Sequence, residues 1–193
     1  MKVVRKLGDG IKKFVVRTKE IVVQPGEFFV RTLSKEKSIG KGLRYYGELL
    51  VFNLILSTGI LIVYKSYWKE VDWVMLAGAA VVTLAVRVIY AFVGSWFLNV
   101  LVRFLGGKAD YKKTFLVFVY SKAPFMIFEP LLGFIAQLYG YWVQAVGIKH
   151  AYGFSYKRTA FLYGVVLVIF FCIYLGLAMY IGRHFGIMTS LGG

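Results

Sequence analysis

A run of 33 residues, from Trp73 to Leu105, carries only two charges: Arg87 near its middle and Arg103 near its end. A stretch this apolar belongs in lipid, where no water is available to bond the backbone. Its N–H and C=O groups must then bond within the segment, which leaves a helix. At 1.5 Å per residue that helix is roughly 50 Å long, against a hydrocarbon core of roughly 30 Å. It must tilt or project beyond the bilayer. Two half-spans are the alternative, but no turn signal precedes Gly106-Gly107. The rest of the chain agrees: 59% of its residues are hydrophobic, where soluble domains have about 45–50%.

Four further segments are long enough to be membrane helices. The expected fold is an all-α integral membrane protein with five transmembrane helices, over 43–64, 73–105, 111–128, 131–148 and 159–181. The third segment, Tyr111 to Pro130, holds two of the three prolines, Pro124 and Pro130. Pro124 has no N–H, so it takes the Tyr120 carbonyl out of the helix ladder and predicts a kink. Glu129-Pro130 reads as a tight turn into the fourth span. Small residues Gly78, Ala79, Ala80, Ala91, Gly94, Ser95, Gly133, Ala136, Gly140 and Gly147 predict close helix contact.

Residues 1–42 read as a basic segment on the cytosolic membrane surface, residues 43–185 as the membrane domain and 186–193 as a short tail. Residues 1–44 hold 12 Lys/Arg and four acids. Val4, Leu7, Ile11, Phe14 and Val15 recur at helical spacing, with Lys12, Lys13 and Arg17 between them. That is the pattern of an amphipathic helix in the headgroup layer. Pro25 suits the first turn of a second short helix to Lys35, with Phe28 and Phe29 on its apolar side. Lys12, Lys13, Arg17, Phe28 and Phe29 are therefore the candidate membrane-surface residues. Gly40-Lys41-Gly42 predicts a hinge into the first span.

The net charge of +15 points to nucleic acid or to anionic lipid. The charge lies between apolar runs, which selects lipid headgroups as the partner and excludes nucleic acid. With the N-terminus inside, 19 of the 24 Lys/Arg fall on the cytoplasmic side. This satisfies the positive-inside rule with the C-terminus outside. A basic start without a continuous apolar core predicts no cleavable signal peptide.

Enzyme motifs are absent: there is no HExxH, GxSxG, phosphate loop or CxxC, and His150 and His184 lie in separate segments. No catalytic residue, metal or cofactor is expected. The polar residues inside the spans are the other candidates. Arg87 and Lys122 both fall near the midplane, where a charge costs at least ~2.5–3.5 kcal/mol. No acid is expected at their depth, because Glu129 should sit at the outer turn. An anion or a backbone carbonyl would then compensate them. Gln137, Tyr141 and Gln144, spaced four and three apart, share a helix face with which Arg87 and Lys122 could line an anion site. Asn53 and Ser57 are expected to bond a neighbouring helix.

The order of short motifs resembles the Yip family of small integral membrane proteins (the Yip-one domain type). The resemblance rests on Leu105-Gly106-Gly107, Tyr111, Thr114-Phe115, Tyr120-Ser121 and Pro124. Beyond Trp142 it continues through Val146-Gly147-Ile148 and the loop from His150 to Ser155 with Lys157; Pro25 and Phe28-Phe29 match upstream. It covers roughly residues 20–182. It implies five membrane helices and a cytosolic N-terminus. Eukaryotic relatives bind Rab-type GTPases and one another, and act in vesicle traffic and organelle shape. This chain lacks a long acidic or proline-rich N-terminal region and an Asp-Leu-Tyr-Gly-Pro motif, so it resembles a prokaryotic member, in a cytoplasmic membrane. Two functions follow as expectations. One is a non-enzymatic scaffold binding lipid, a membrane-protein partner or further copies of itself. The other is a small transporter or channel for an anionic or polar molecule through the bundle interior.

Overall fold

The computed structural model describes residues 2–35, 38–66, 73–108 and 110–166, together with 168, 169, 172, 175, 176 and 179. The described chain is helical. The helices are α1 (Lys2–Val23), α2 (Pro25–Lys35), α3 (Ile39–Ser66), α4 (Trp73–Phe104), α5 (Tyr111–Leu132) and α6 (Phe134–Tyr152). A further helix, α7, covers 156–166. Residues 1–154 form one compact unit and 155–193 a second. Among the described residues three helices are long and apolar enough to cross a membrane: α3 over Ile39–Val63, α4 over Val74–Phe104, and α5. Most of the expected fifth span and the tail lie outside the described residues.

The helix ends follow local chemistry. Pro25 opens α2, where its missing N–H costs nothing. Gly106, at φ 72°, ends α4, and the Gly107 N–H closes back onto the Val102 carbonyl at 3.0 Å. The Asp110 side chain caps α5 by accepting from the Lys112 N–H at 2.9 Å. Gly153, at φ 65°, ends α6 in the left-handed conformation that glycine tolerates. In the second unit, the Ser155 hydroxyl accepts from the Arg158 N–H at 3.3 Å at the start of α7.

α5 is the centre of the first unit. Thr114 to Ser121 are buried without interruption, and α6, α3, α4, α1 and α2 all pack against it. A helix apolar and enclosed on every side forms the core rather than one wall of it. The contacts are close where glycine leaves room. A Cβ on Gly94 would fall 2.5 Å from the Phe118 ring, and one on Gly147 would fall 2.7 Å from Val117 and 2.9 Å from Phe29.

Several expectations change. α4 is one unbroken helix, so the half-span alternative falls. Gly42 is no hinge: it lies inside α3, where a Cβ would meet Leu116 at 2.7 Å. Among the described residues Gly78 meets nothing within 4 Å. α5 continues through both Pro124 and Pro130, and the chain reverses at Gly133, φ 47°. The physical reason lies at Met126. Pro130 cannot donate to the carbonyl four residues earlier, and the Asn53 amide does so instead, at 2.6 Å. A side chain from α3 thus replaces the missing backbone bond, and the helix survives its proline.

Candidate functional site

The polar residues gather into three clusters. The first joins α3, α4 and α5. The Arg87 guanidinium donates to Asn53 Oδ1 at 2.7 Å and to Glu129 Oε1 and Oε2 at 3.3 and 3.0 Å. The Asn53 amide bridges to the Met126 carbonyl, and the Tyr46 hydroxyl donates to the Arg87 carbonyl at 3.1 Å. Asn53 therefore bonds neighbouring helices as expected. The expectation of an unpaired Arg87 is corrected. Glu129 lies in the last turn of α5 rather than in a loop, because that helix runs on past Pro130. Arg87 thus has its acid within the fold and needs no external anion.

The second cluster surrounds Lys122. Its ammonium lies 4.7 Å from the Phe118 ring centre, 5.3 Å from Tyr90 and 5.4 Å from Tyr141. Aromatic faces present negative potential to a cation, each worth about 0.5–2 kcal/mol. Gln137 donates to the Tyr141 hydroxyl at 3.1 Å and lines a cavity of about 200 Å³ with Lys122, Tyr90, Phe125 and Gly140. The structure therefore brings Lys122, Gln137 and Tyr141 together. It gives Arg87 a separate set of partners, and Gln144 is buried farther along α6. The five residues do not form one anion site.

The third cluster is a basic band across α2, α1 and α3. Phe14, Arg17, Thr18 and Ile21 turn one face of α1 onto the bundle. Phe14 packs on Tyr45 and Phe52, with ring centres 5.8 and 6.1 Å apart. The Arg17 guanidinium lies 5.7 Å from the centres of both the Tyr45 and Tyr120 rings. Thr18 and Tyr45 share a hydrogen bond of 2.9 Å, and Tyr139 donates to the Val22 carbonyl. Arg17 and Lys13 then line two adjoining grooves. One, of about 490 Å³, adds Lys41, Arg44, Asp9 and Glu48; the other, of about 440 Å³, adds Lys12, Arg31, Lys35 and Glu20. Arg44 pairs with Glu48 at 3.2 Å, and Arg31 pairs with Glu20. Seven cations against three acids leave a net charge of +4 on one continuous surface.

Phe28 and Phe29 are not membrane-surface residues. They are 3% and 0% exposed. Phe28 packs edge-on against Tyr120 at 5.2 Å, and Phe29 lies against Gly147. The amphipathic face of α2 is spent on α5 and α6, not on lipid.

One polar group escaped the sequence reading. The buried Thr114 hydroxyl bonds Asn99 Oδ1 at 3.0 Å and the Tyr152 hydroxyl, and Tyr152 donates to the Asp110 carbonyl at 3.0 Å. Burial raises the Tyr152 phenol above its ordinary pKa. This bond set ties the ends of α4, α5 and α6 together. Thr114 and Tyr152 both stand in the motifs quoted above, and there they hold these helix ends together.

No curated protein and no solved structure matches the chain. The family model of the Yip1 domain matches residues 19–179, a range that takes in the core helix α5, the Arg87 and Lys122 clusters and the glycine-packed contacts, while Lys12, Lys13 and Arg17 of the basic band lie before it. The chain belongs to the Yip1 domain family.

Proposed function

We propose that the protein is a non-enzymatic membrane-organising scaffold that holds anionic lipid headgroups on its cytoplasmic face. Five helices, α3 to α7, are embedded in the bilayer, with the N-terminus cytoplasmic and the C-terminus outside. The observation that carries the reading is the basic band: Lys12, Lys13, Arg17, Lys41 and Arg44 converge on grooves floored by Phe14, Tyr45 and Phe28. Cations around an aromatic floor suit a phosphate with its glycerol backbone. Partner proteins or further copies of the chain would be gathered through the lipid-facing helix surfaces.

Each cation near an anionic surface contributes about 1 kcal/mol. The Lys12→Gln/Lys13→Gln/Lys41→Gln variant should therefore bind phosphatidylglycerol on the order of 100-fold more weakly. Thermal shift of the full chain in detergent, with phosphatidylglycerol or phosphatidylcholine added, measures this. Stabilisation by phosphatidylglycerol that fades with salt and with the triple substitution supports the reading. Equal stabilisation by both lipids overturns it.

A further inference from the structure

The α5–α6 turn is apolar where a turn in water would be polar. It reads Leu131-Leu132-Gly133-Phe134-Ile135, and its four large side chains are all exposed, Phe134 at 71%. Two rulers give its depth.

The first ruler runs from the membrane surface. α1 lies across the bundle, touching α3 through Phe14, α5 through Arg17 and α6 through Val22. Its charged flank faces Lys41, Arg44 and Glu48 at the start of α3, while Phe14 reaches on to Phe52. Ile11 and Val15 stand one step further round in that same direction and are exposed. A helix with cations on one flank and exposed aliphatics on the other marks the headgroup boundary. From that level at Tyr120, α5 has 12 residues left before Gly133, about 18 Å at 1.5 Å each. From Tyr139 back to Gly133 the path is six residues, about 9 Å.

The second ruler runs to the far side. The cluster of Asn53, Arg87 and Glu129 sits one turn below Gly133. Beyond it α3 continues for 13 residues to Ser66 and α4 for 14 residues to Trp73, about 20 Å each. These extensions are lipid-grade: Ile55, Ile60, Val63, Val74, Met75, Val81, Val82 and Val86 are exposed. The turn at Gly133 is therefore far from the outer water, with apolar helix surface still rising past it.

From these rulers we infer that α5 and α6 form a re-entrant hairpin that dips into the cytoplasmic leaflet and turns near the bilayer midplane. In this unit only α3 and α4 cross completely. The occupant of the exposed hairpin tip is the acyl region of lipid. Backbone chemistry allows this. Gly133 is the one non-helical residue of the turn; its N–H donates to the Glu129 carbonyl at 2.9 Å, and its own carbonyl accepts from the Gln137 N–H at 3.3 Å. The two charges between Tyr120 and the tip, Lys122 and Glu129, have partners inside the protein, as lipid residence requires. The direction of the chain is unchanged, since a re-entrant pair and two full spans both return to the cytoplasm. The inference does not depend on headgroup binding by the basic band.

The test is cysteine labelling of the full chain in oriented membranes, in a Cys172→Ser background. Ser66→Cys should react with a membrane-impermeant maleimide from outside and Lys108→Cys from the cytoplasmic side. Leu132→Cys and Phe134→Cys should react from neither. Leu132 is 49% and Phe134 71% exposed, so cysteine at either position removes little packing. A nitroxide at either tip position should be relaxed by oxygen, shielded from a water-soluble nickel chelate, and placed near the midplane. Labelling of the tip from outside, or a nitroxide at the outer headgroups, would return two full spans and overturn the inference. Labelling of the tip from the cytoplasmic side would overturn it equally, by showing the hairpin outside the membrane.

Discussion

Arg87 is held by three acceptor atoms on two other helices: Asn53 Oδ1 and both carboxylate oxygens of Glu129. The two charged side chains are 23% and 31% exposed, so the pair is shielded without being fully buried. Removing one partner leaves the other unpaired, which costs more than removing both. Arg87→Leu should lower unfolding stability in detergent by about 2 kcal/mol, and Arg87→Leu/Glu129→Leu should recover most of that loss. A double variant as unstable as the single would show that the ion pair is not what the arginine contributes. At this scale the sequence was a partial guide. It marked Arg87 and Lys122 as too costly to face lipid, which holds. It could not supply their partners, because Glu129 lies 42 residues from Arg87 and the rings around Lys122 come from α4, α5 and α6. Phe28 and Phe29 misled for a related reason: an apolar helix face reads the same whether lipid or protein covers it.

Among the helices, glycine separates contact from open surface. Gly147 abuts Val117 and Phe29, so Gly147→Ala should cost about 1–3 kcal/mol by overpacking. Among the described residues Gly78, in the first turns of α4, meets nothing within 4 Å, so Gly78→Ala should raise stability by about 0.5–1 kcal/mol through helix propensity alone. Unfolding both variants in detergent distinguishes the two. A loss at Gly78 would mean that another helix covers that face. Element positions were largely readable, since apolar runs and the glycine stops at Gly106 and Gly153 are local signals. The end of α5 was not. Proline is a local stop signal too, but Asn53, 77 residues before Pro130, replaces the bond it removes. A long-range substitution of that kind leaves no trace in the neighbouring sequence.

At the scale of the whole chain, charge asymmetry gave the expected orientation, and the order of small motifs gave the family. Penetration depth was hidden, because hydropathy counts residues along one helix and depth is set by helices lying beside it. The apolar turn at Gly133 also has a consequence for area. On the inference of a re-entrant hairpin, four helices of residues 1–154 would pass through the cytoplasmic leaflet, with α1 at its surface, while two would continue through the outer leaflet. With helices about 10 Å across, the mismatch between the two leaflets is roughly 150 Å² per molecule. Such a protein fits best where the cytoplasmic leaflet is the stretched, convex one. Reconstituted into vesicles of mixed size, molecules with the basic face outward should be enriched in the smaller ones, and a tip cut back to equalise the leaflets should lose that preference.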